Sequence, residues 1–80
     1  MGSMSALVDI ELDLCGLVCP LPLLKTKQAL NRMVNGQKIK VLATDPGSER
    51  DFQVFAQQSG NKLLEIQKIE GKFHYLLEKS

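Results

Sequence analysis

The two cysteines are the side chains of this sequence with the clearest capacity for chemistry. Cys15 and Cys19 are the only cysteines among the 80 residues, and Pro20 directly follows Cys19. Proline is frequent in the first turn of a helix, so Cys19 is predicted to lie at a helix N-terminus, as its N-cap if Pro20 is the first helical residue. The free N–H groups and the helix dipole at that position favour a thiolate over a thiol. The sequence therefore predicts a nucleophilic sulfur at Cys19.

The residues after Cys19 predict how that sulfur is held. With Cys19 as N-cap, Pro20 and Pro22 occupy the first and third helical positions and carry no N–H. The N–H of Leu21 is then the donor best placed to reach the sulfur, and Pro20 restricts Cys19 to an extended backbone. We therefore expect Pro20, Leu21 and Pro22 to support the site. The ordinary alternative for a free cysteine is a small buried side chain.

Side chains around the predicted helix start suggest a surface for a partner protein. Leu21 and Leu24 fall outside the helical stripe of Leu23, Leu30, Met33 and Val34, and we expect them to face solvent. Exposed leucines beside a reactive thiol favour docking of another protein, although one or two such residues are ordinary on a surface. The basic residues Lys25, Lys27, Arg32, Lys38 and Lys40 are either a face for an acidic partner or RNA, or simply solvated charges.

Alternating and helical spacings predict six elements in the order βαβαββ. The helix starting near Pro20 is expected to end at Asn35-Gly36, and either Asp45 or Ser48 is expected to cap the second helix. The other predicted elements are strands over Val8–Leu14 and Lys38–Ala43, a second helix that ends at Gly60-Asn61, and a hairpin of Leu63–Ile69 and Lys72–Leu77 around Glu70-Gly71. This order indicates an α+β two-layer sandwich with both helices on one face of the sheet.

Length and composition limit the range of functions. Eighty residues with 44% hydrophobic side chains predict one globular domain over residues 4–80, with residues 1–3 as an expression remnant. A formal net charge of +1 makes non-specific binding of nucleic acid an unfavoured function. Two cysteines indicate a reducing compartment, and without an apolar run long enough for a membrane span we expect a cytoplasmic protein.

Beyond these patterns, the sequence resembles the TusA/SirA-like family of sulfur carriers over nearly its whole length from Val8. The resemblance rests on Gly16-Leu17, Cys19-Pro20-Leu21-Pro22, Ala29-Leu30, Asp45-Pro46, Arg50-Asp51 and the closing hairpin. It implies a mixed four-stranded sheet, and a Cys19 that accepts sulfane sulfur from a persulfide donor such as a cysteine desulfurase. Cys19 would then pass the sulfur to an acceptor protein, for example for tRNA 2-thiouridine synthesis. No metal or organic cofactor is implied, and Leu24, Lys25, Arg50 and Asp51 are candidates for partner binding.

Two other functions remain open from the sequence. Cys15 departs from the usual family pattern, so a dithiol redox protein that uses Cys15 and Cys19 is one alternative to a semi-buried bystander thiol. A non-catalytic module that binds RNA or regulates a partner is the other. His74 has no second histidine near it in the sequence, and neither a Cys–His pair nor a zinc site is expected.

Overall fold

The structure, a computed structural model, describes residues 8–80, in which the elements follow the predicted order. They are β1 (Ile10–Asp13), α1 (Leu21–Leu30), β2 (Lys38–Ala43), α2 (Ser48–Ser59), β3 (Lys62–Ile69) and β4 (Lys72–Glu78). The predicted expression remnant at residues 1–3 lies outside the described residues. Within the described range, no helix has the length and apolar character needed to cross a membrane.

The four strands form one mixed sheet in the order β1-β2-β4-β3. β1 and β2 are parallel, whereas β4 is antiparallel to both β2 and β3. Each helix therefore links two strands that run in the same direction, and both helices pack on one face of the sheet. The predicted two-layer sandwich is confirmed. Because both helices return from the carboxyl ends of strands, α1 and α2 begin at the same edge of the sheet.

The core lies between the helices and one face of the two central strands. Successive side chains of a strand point to opposite faces, so alternate residues of β2 and β4 turn inward. The inward residues are Ile39, Val41, Ala43, Phe73, Tyr75 and Leu77, and Leu30 and Phe52 cover them from the helices. Lys40, Leu42 and His74 alternate with these residues and therefore occupy the opposite face, which carries no helix.

The first helix is shorter than its apolar spacing predicts. It ends at Leu30, and the expectation of a helix as far as Asn35-Gly36 is wrong. The N–H of Met33 bonds to the carbonyl of Leu30 at 3.0 Å, a three-residue step that closes a turn instead of extending the helix. Met33 is buried as expected, but Val34 is 65% exposed. Pro22 and Thr26 are fully buried and take the place expected for Val34 on the buried side of α1.

The second helix begins without a side-chain cap. Its N-cap is Gly47, so the expectation that Asp45 or Ser48 provides the cap is wrong. The hydroxyl of Ser48 is instead hydrogen-bonded to the hydroxyl of Tyr75 at 2.6 Å, in the interior. A tertiary partner has thus replaced the local one.

The predicted hairpin between β3 and β4 is confirmed, with Glu70 and Gly71 at its tip. Both residues have positive φ angles, 51° and 78°, which match a two-residue type I′ turn. Glycine adopts this left-handed conformation without strain, but glutamate does not.

Glu70→Asn is therefore expected to stabilise the protein by about 0.5–1 kcal/mol, because asparagine tolerates the left-handed region better than glutamate. Urea unfolding followed by circular dichroism measures the change. Gly71→Ala is the matched substitution and is expected to act in the opposite direction. A lower unfolding midpoint for Glu70→Asn would contradict the assigned turn.

Candidate functional site

The loop that carries Cys19 is tied to the end of β2. The N–H of Leu14 bonds to the carbonyl of Leu42 at 2.8 Å, and the N–H of Gly16 donates to the hydroxyl of Thr44 at 2.9 Å. Gly16 has a φ of 87°, a backbone conformation that residues with a side chain adopt only with strain. The chain therefore leaves β1 in a defined direction before it reaches the cysteine.

The start of α1 differs from the prediction by one residue. Pro20 is the N-cap, so Cys19 lies just before the cap and Pro22 is the second helical residue. The N–H of Leu21 is bonded to the carbonyl of Val18 at 2.9 Å. That turn occupies the amide expected to reach the sulfur, and the predictions of Cys19 as N-cap and Leu21 as its donor are wrong. Pro22 is fully buried at this position.

The partner of Cys19 is a carboxylate on the other helix. The Cys19 side chain is exposed and free, and its Sγ donates a hydrogen bond to Oδ2 of Asp51 at 3.0 Å. Asp51 lies in the first turn of α2 and is half-buried. The sequence indicated Asp51 as a candidate for partner binding, but it did not predict this contact. The signal for it was topological, because parallel strands bring the starts of both helices to one edge.

This contact changes the acidity of the thiol. The hydrogen bond to Asp51 raises the pKa of Cys19 above its ordinary value of 9.0. Desolvation and the negative charges of Asp51 and Asp45 act in the same direction. The expectation of a lowered thiol pKa is therefore wrong for the isolated protein. Cys19 is held as a protonated thiol across the neutral pH range.

The position of Asp51 depends on how α2 is anchored to the sheet. Ser48 is 2% exposed and bonds to Tyr75, and the ring of Phe52 stacks on Tyr75 with centroids 4.3 Å apart. Burial is the main cause that raises the pKa of Tyr75, so its hydroxyl stays protonated. Residues on both sides of Asp51 are thus packed against β4.

Tyr75→Phe is expected to lower the free energy of unfolding by about 1–2 kcal/mol, because it leaves the buried hydroxyl of Ser48 without its partner. Urea unfolding measures the loss. The double variant with Ser48→Ala is expected to lose less than the sum of the single changes, because both hydroxyls are then absent. Additive losses would show that the two hydroxyls do not interact.

A second acidic side chain lies near the thiol. Asp45 precedes α2, and one of its carboxylate oxygens, Oδ2, is buried without a hydrogen-bond partner among residues 8–80. Its charge contributes to the raised pKa of Cys19. The electrostatic environment of the sulfur is therefore negative, although two helices begin beside it.

The surface around Cys19 is apolar on the α1 side. Val18, Leu21 and Leu24 are 64%, 39% and 46% exposed, and we call these three residues the apolar patch. The prediction that Leu21 and Leu24 face solvent is confirmed. Lys25 and Arg50 are also exposed. The charged side chains selected for partner binding are thus accessible, whereas Asp51 is engaged with the thiol.

Cys15 has a different environment from Cys19. It is partly buried and free, and its N–H donates to a carboxylate oxygen of Asp13 at 3.1 Å. A hydrogen bond to Asp13 is also the main cause that raises the pKa of the Cys15 thiol. The two thiols therefore have different carboxylate partners, Asp13 and Asp51, and form no disulfide. Their separate environments favour the interpretation of Cys15 as a bystander.

The remaining candidates do not join the site. Lys38 and Lys40 lie on the sheet face opposite the helices, so they form no single basic surface with Lys25 and Lys27 of α1. His74 is on that same opposite face and does not pair with Cys19. Burial, with the charges of Lys40 and Lys72, lowers its pKa. Within the described part of the chain, no group of three His, Cys, Asp or Glu side chains has the arrangement of a metal site.

Comparisons with known proteins agree on one family. The family profile described as sulfurtransferase TusA matches residues 10–79. A sulfur carrier protein TusA from Allochromatium vinosum is 56% identical over 72 residues, an alignment that covers 90% of this chain and 95% of that relative. A sulfur carrier protein TusA from Pseudomonas syringae is 40% identical, with 90% and 86% covered. The crystal structure of a SirA-like protein from Desulfitobacterium hafniense has a TM-score of 0.76 at 27% identity, with 86% and 95% covered.

Proposed function

The chain belongs to the TusA family of sulfur carriers, and on this premise we propose that Cys19 is the residue that carries the sulfur. The observation behind this choice is the position of a free, exposed thiol at the start of α1, next to the apolar patch. A sulfur that a second protein must reach has to lie on the surface. Cys15, which is partly buried beside Asp13, meets that requirement less well.

The proposed transfer is an exchange between a thiol and a persulfide. Sγ of Cys19 attacks the terminal sulfur of a persulfide on the donor protein, and a new S–S bond forms on Cys19. The S–S bond of the donor breaks, and the donor cysteine leaves as a thiol. One sulfur atom moves with no net oxidation or reduction. In the next step an acceptor nucleophile attacks the terminal sulfur on Cys19, and Cys19 returns to its thiol form.

The use of one thiol for both steps constrains the partners. A donor, such as a cysteine desulfurase, must bring its persulfide to Cys19, and an acceptor protein must bring its nucleophile to the sulfur that Cys19 then holds. Their docking surfaces on the carrier therefore overlap, and the two proteins bind in turn. The apolar patch, with Lys25 and Arg50 nearby, is our candidate for that shared surface. The thiol must also stay reduced between transfers, which suits a reducing compartment such as the cytoplasm.

Peptide mapping of the loaded protein tests the proposal. The carrier is incubated with a cysteine desulfurase and cysteine, alkylated under non-reducing conditions, digested and analysed by mass spectrometry. We expect fragment masses to place the additional sulfur atom on Cys19, and Cys15 to be alkylated without an additional sulfur. Sulfur found on Cys15 alone, or no gain of sulfur on the carrier, would contradict the assignment.

A further inference from the structure

The contact between the two helix starts provides a second functional residue. Taking Cys19 as the sulfur-bearing residue, as proposed above, we propose that Asp51 is the proton relay of the transfer. In this role Asp51 takes the proton from the Cys19 thiol and returns it to the departing donor cysteine. Its Oδ2 already accepts the hydrogen bond from Cys19 Sγ at 3.0 Å, so the proton lies on the path between the two atoms.

The geometry holds the carboxylate of Asp51 beside the thiol. Asp51 lies in the first turn of α2, where its N–H bonds to the carbonyl of Gly47 at 3.2 Å. Ser48 and Phe52, on either side of it, are packed against Tyr75. The carboxylate is therefore held in a fixed direction, and a tertiary contact brings it to the sulfur.

Cys19 needs such a partner because it is not ionised beforehand. Its hydrogen bond to Asp51 raises the thiol pKa, so most of the carrier at neutral pH has a protonated sulfur. A protonated thiol is a weak nucleophile, and attack on a persulfide requires that the proton leave. A group within hydrogen-bond distance of the thiol is the natural acceptor.

The proposed step neither gains nor loses a proton. As Sγ of Cys19 bonds to the terminal sulfur, its proton moves to Oδ2 of Asp51. The electron pair of the broken S–S bond stays with the donor cysteine, which then takes the proton from Asp51. The transferred sulfur keeps its own proton or charge throughout. Asp51 ends the step as a carboxylate, and no oxidant or reductant is consumed.

The same contact gives the free carrier a low background reactivity. A small electrophile reacts with the thiolate, which the hydrogen bond to Asp51 disfavours. A persulfide, in contrast, supplies a leaving sulfur that can take the proton back. Asp51 is therefore expected to slow alkylation and to speed sulfur transfer, and these opposite effects are a signature that general destabilisation would not produce.

Two reactions of Cys19 in Asp51→Asn test the relay. Both use purified protein at pH 7: alkylation by iodoacetamide, and loading by glutathione persulfide, which needs no protein docking. We expect alkylation to become several-fold faster and its pH profile to move to lower pH, while loading becomes about tenfold slower or more. Glu49→Gln removes the same charge from the same helical turn without the contact to Cys19, and it is expected to leave both rates near those of the wild type.

The outcomes separate the relay from the assignment of Cys19. If the wild type gains no sulfur on Cys19, the proposed function fails, whatever Asp51 does. If the wild type loads but Asp51→Asn increases both rates, decreases both rates or changes neither, the relay is overturned. Asp51→Glu retains the carboxylate and is expected to recover part of the loading rate, which guards against a folding defect in Asp51→Asn.

Discussion

Cys19→Ser is expected to abolish the flow of sulfur from donor to acceptor, whereas Cys15→Ser is expected to retain most of it. A serine hydroxyl cannot form a persulfide and remains un-ionised at neutral pH. The variant can therefore neither accept sulfur from the donor nor pass it to the acceptor. The side chain of Cys19 is exposed, and serine is only slightly smaller than cysteine, so the variant is expected to fold. The expected loss of sulfur transfer is therefore caused by the missing thiol and not by unfolding.

A relay assembled from purified proteins measures this difference. Radioactive cysteine supplies a cysteine desulfurase, and non-reducing electrophoresis follows the label onto the carrier and then onto an acceptor protein. Cys15→Ser is the matched control, because it replaces the same thiol by the same hydroxyl at the other cysteine of the chain. Equal loss of label transfer in both variants would favour the dithiol mechanism, in which Cys15 and Cys19 act together.

Phe52→Ala is expected to lower the free energy of unfolding by about 3–5 kcal/mol, as for other buried aromatic residues. Phe52 is 0% exposed and stacks on Tyr75, so its removal leaves a cavity between α2 and the sheet. A domain of this length has a total stability of about 4–12 kcal/mol. The substitution therefore removes a large part of it.

Urea unfolding of Phe52→Ala measures that loss, with Val54→Ala as its control on the same helix. Val54 is 42% exposed, and its truncation is expected to change stability by about 0.5 kcal/mol or less. A similar cost for both substitutions would mean that burial of the Phe52 ring does not anchor α2. The position of Asp51 would then need another explanation.

Local patterns were sufficient for most of the fold. Alternation placed β2 correctly at Lys38–Ala43, and Glu70-Gly71 identified the hairpin, because both signals are carried by neighbouring residues. Helix ends were less predictable. α1 stops at Leu30 although Met33 continues the apolar spacing, since burial alone does not require helical backbone.

Capping failed as a local prediction for a related reason. Ser48 has the side chain of an N-cap, but the hydroxyl of Tyr75, 27 positions later in the chain, binds it in the core. At Cys19, the turn between Val18 and Leu21 occupies the amide that capping requires. In both places a hydrogen-bonding group had two possible partners, and only the folded chain determines which one it meets.

The sequence by itself selected Cys19 as the candidate reactive residue, since a cysteine followed by Pro20 at the start of a predicted helix is a local feature. The resemblance to a family then suggested the chemistry proposed for it. The tertiary structure alone decided the state of that thiol. Asp51 is 32 positions away along the chain, and it reaches Cys19 because two parallel crossovers start both helices at one edge of the sheet. The hydrogen bond to that carboxylate at 3.0 Å raises the pKa of the thiol, so the sulfur that the helix start predicted as a thiolate is instead a protonated thiol.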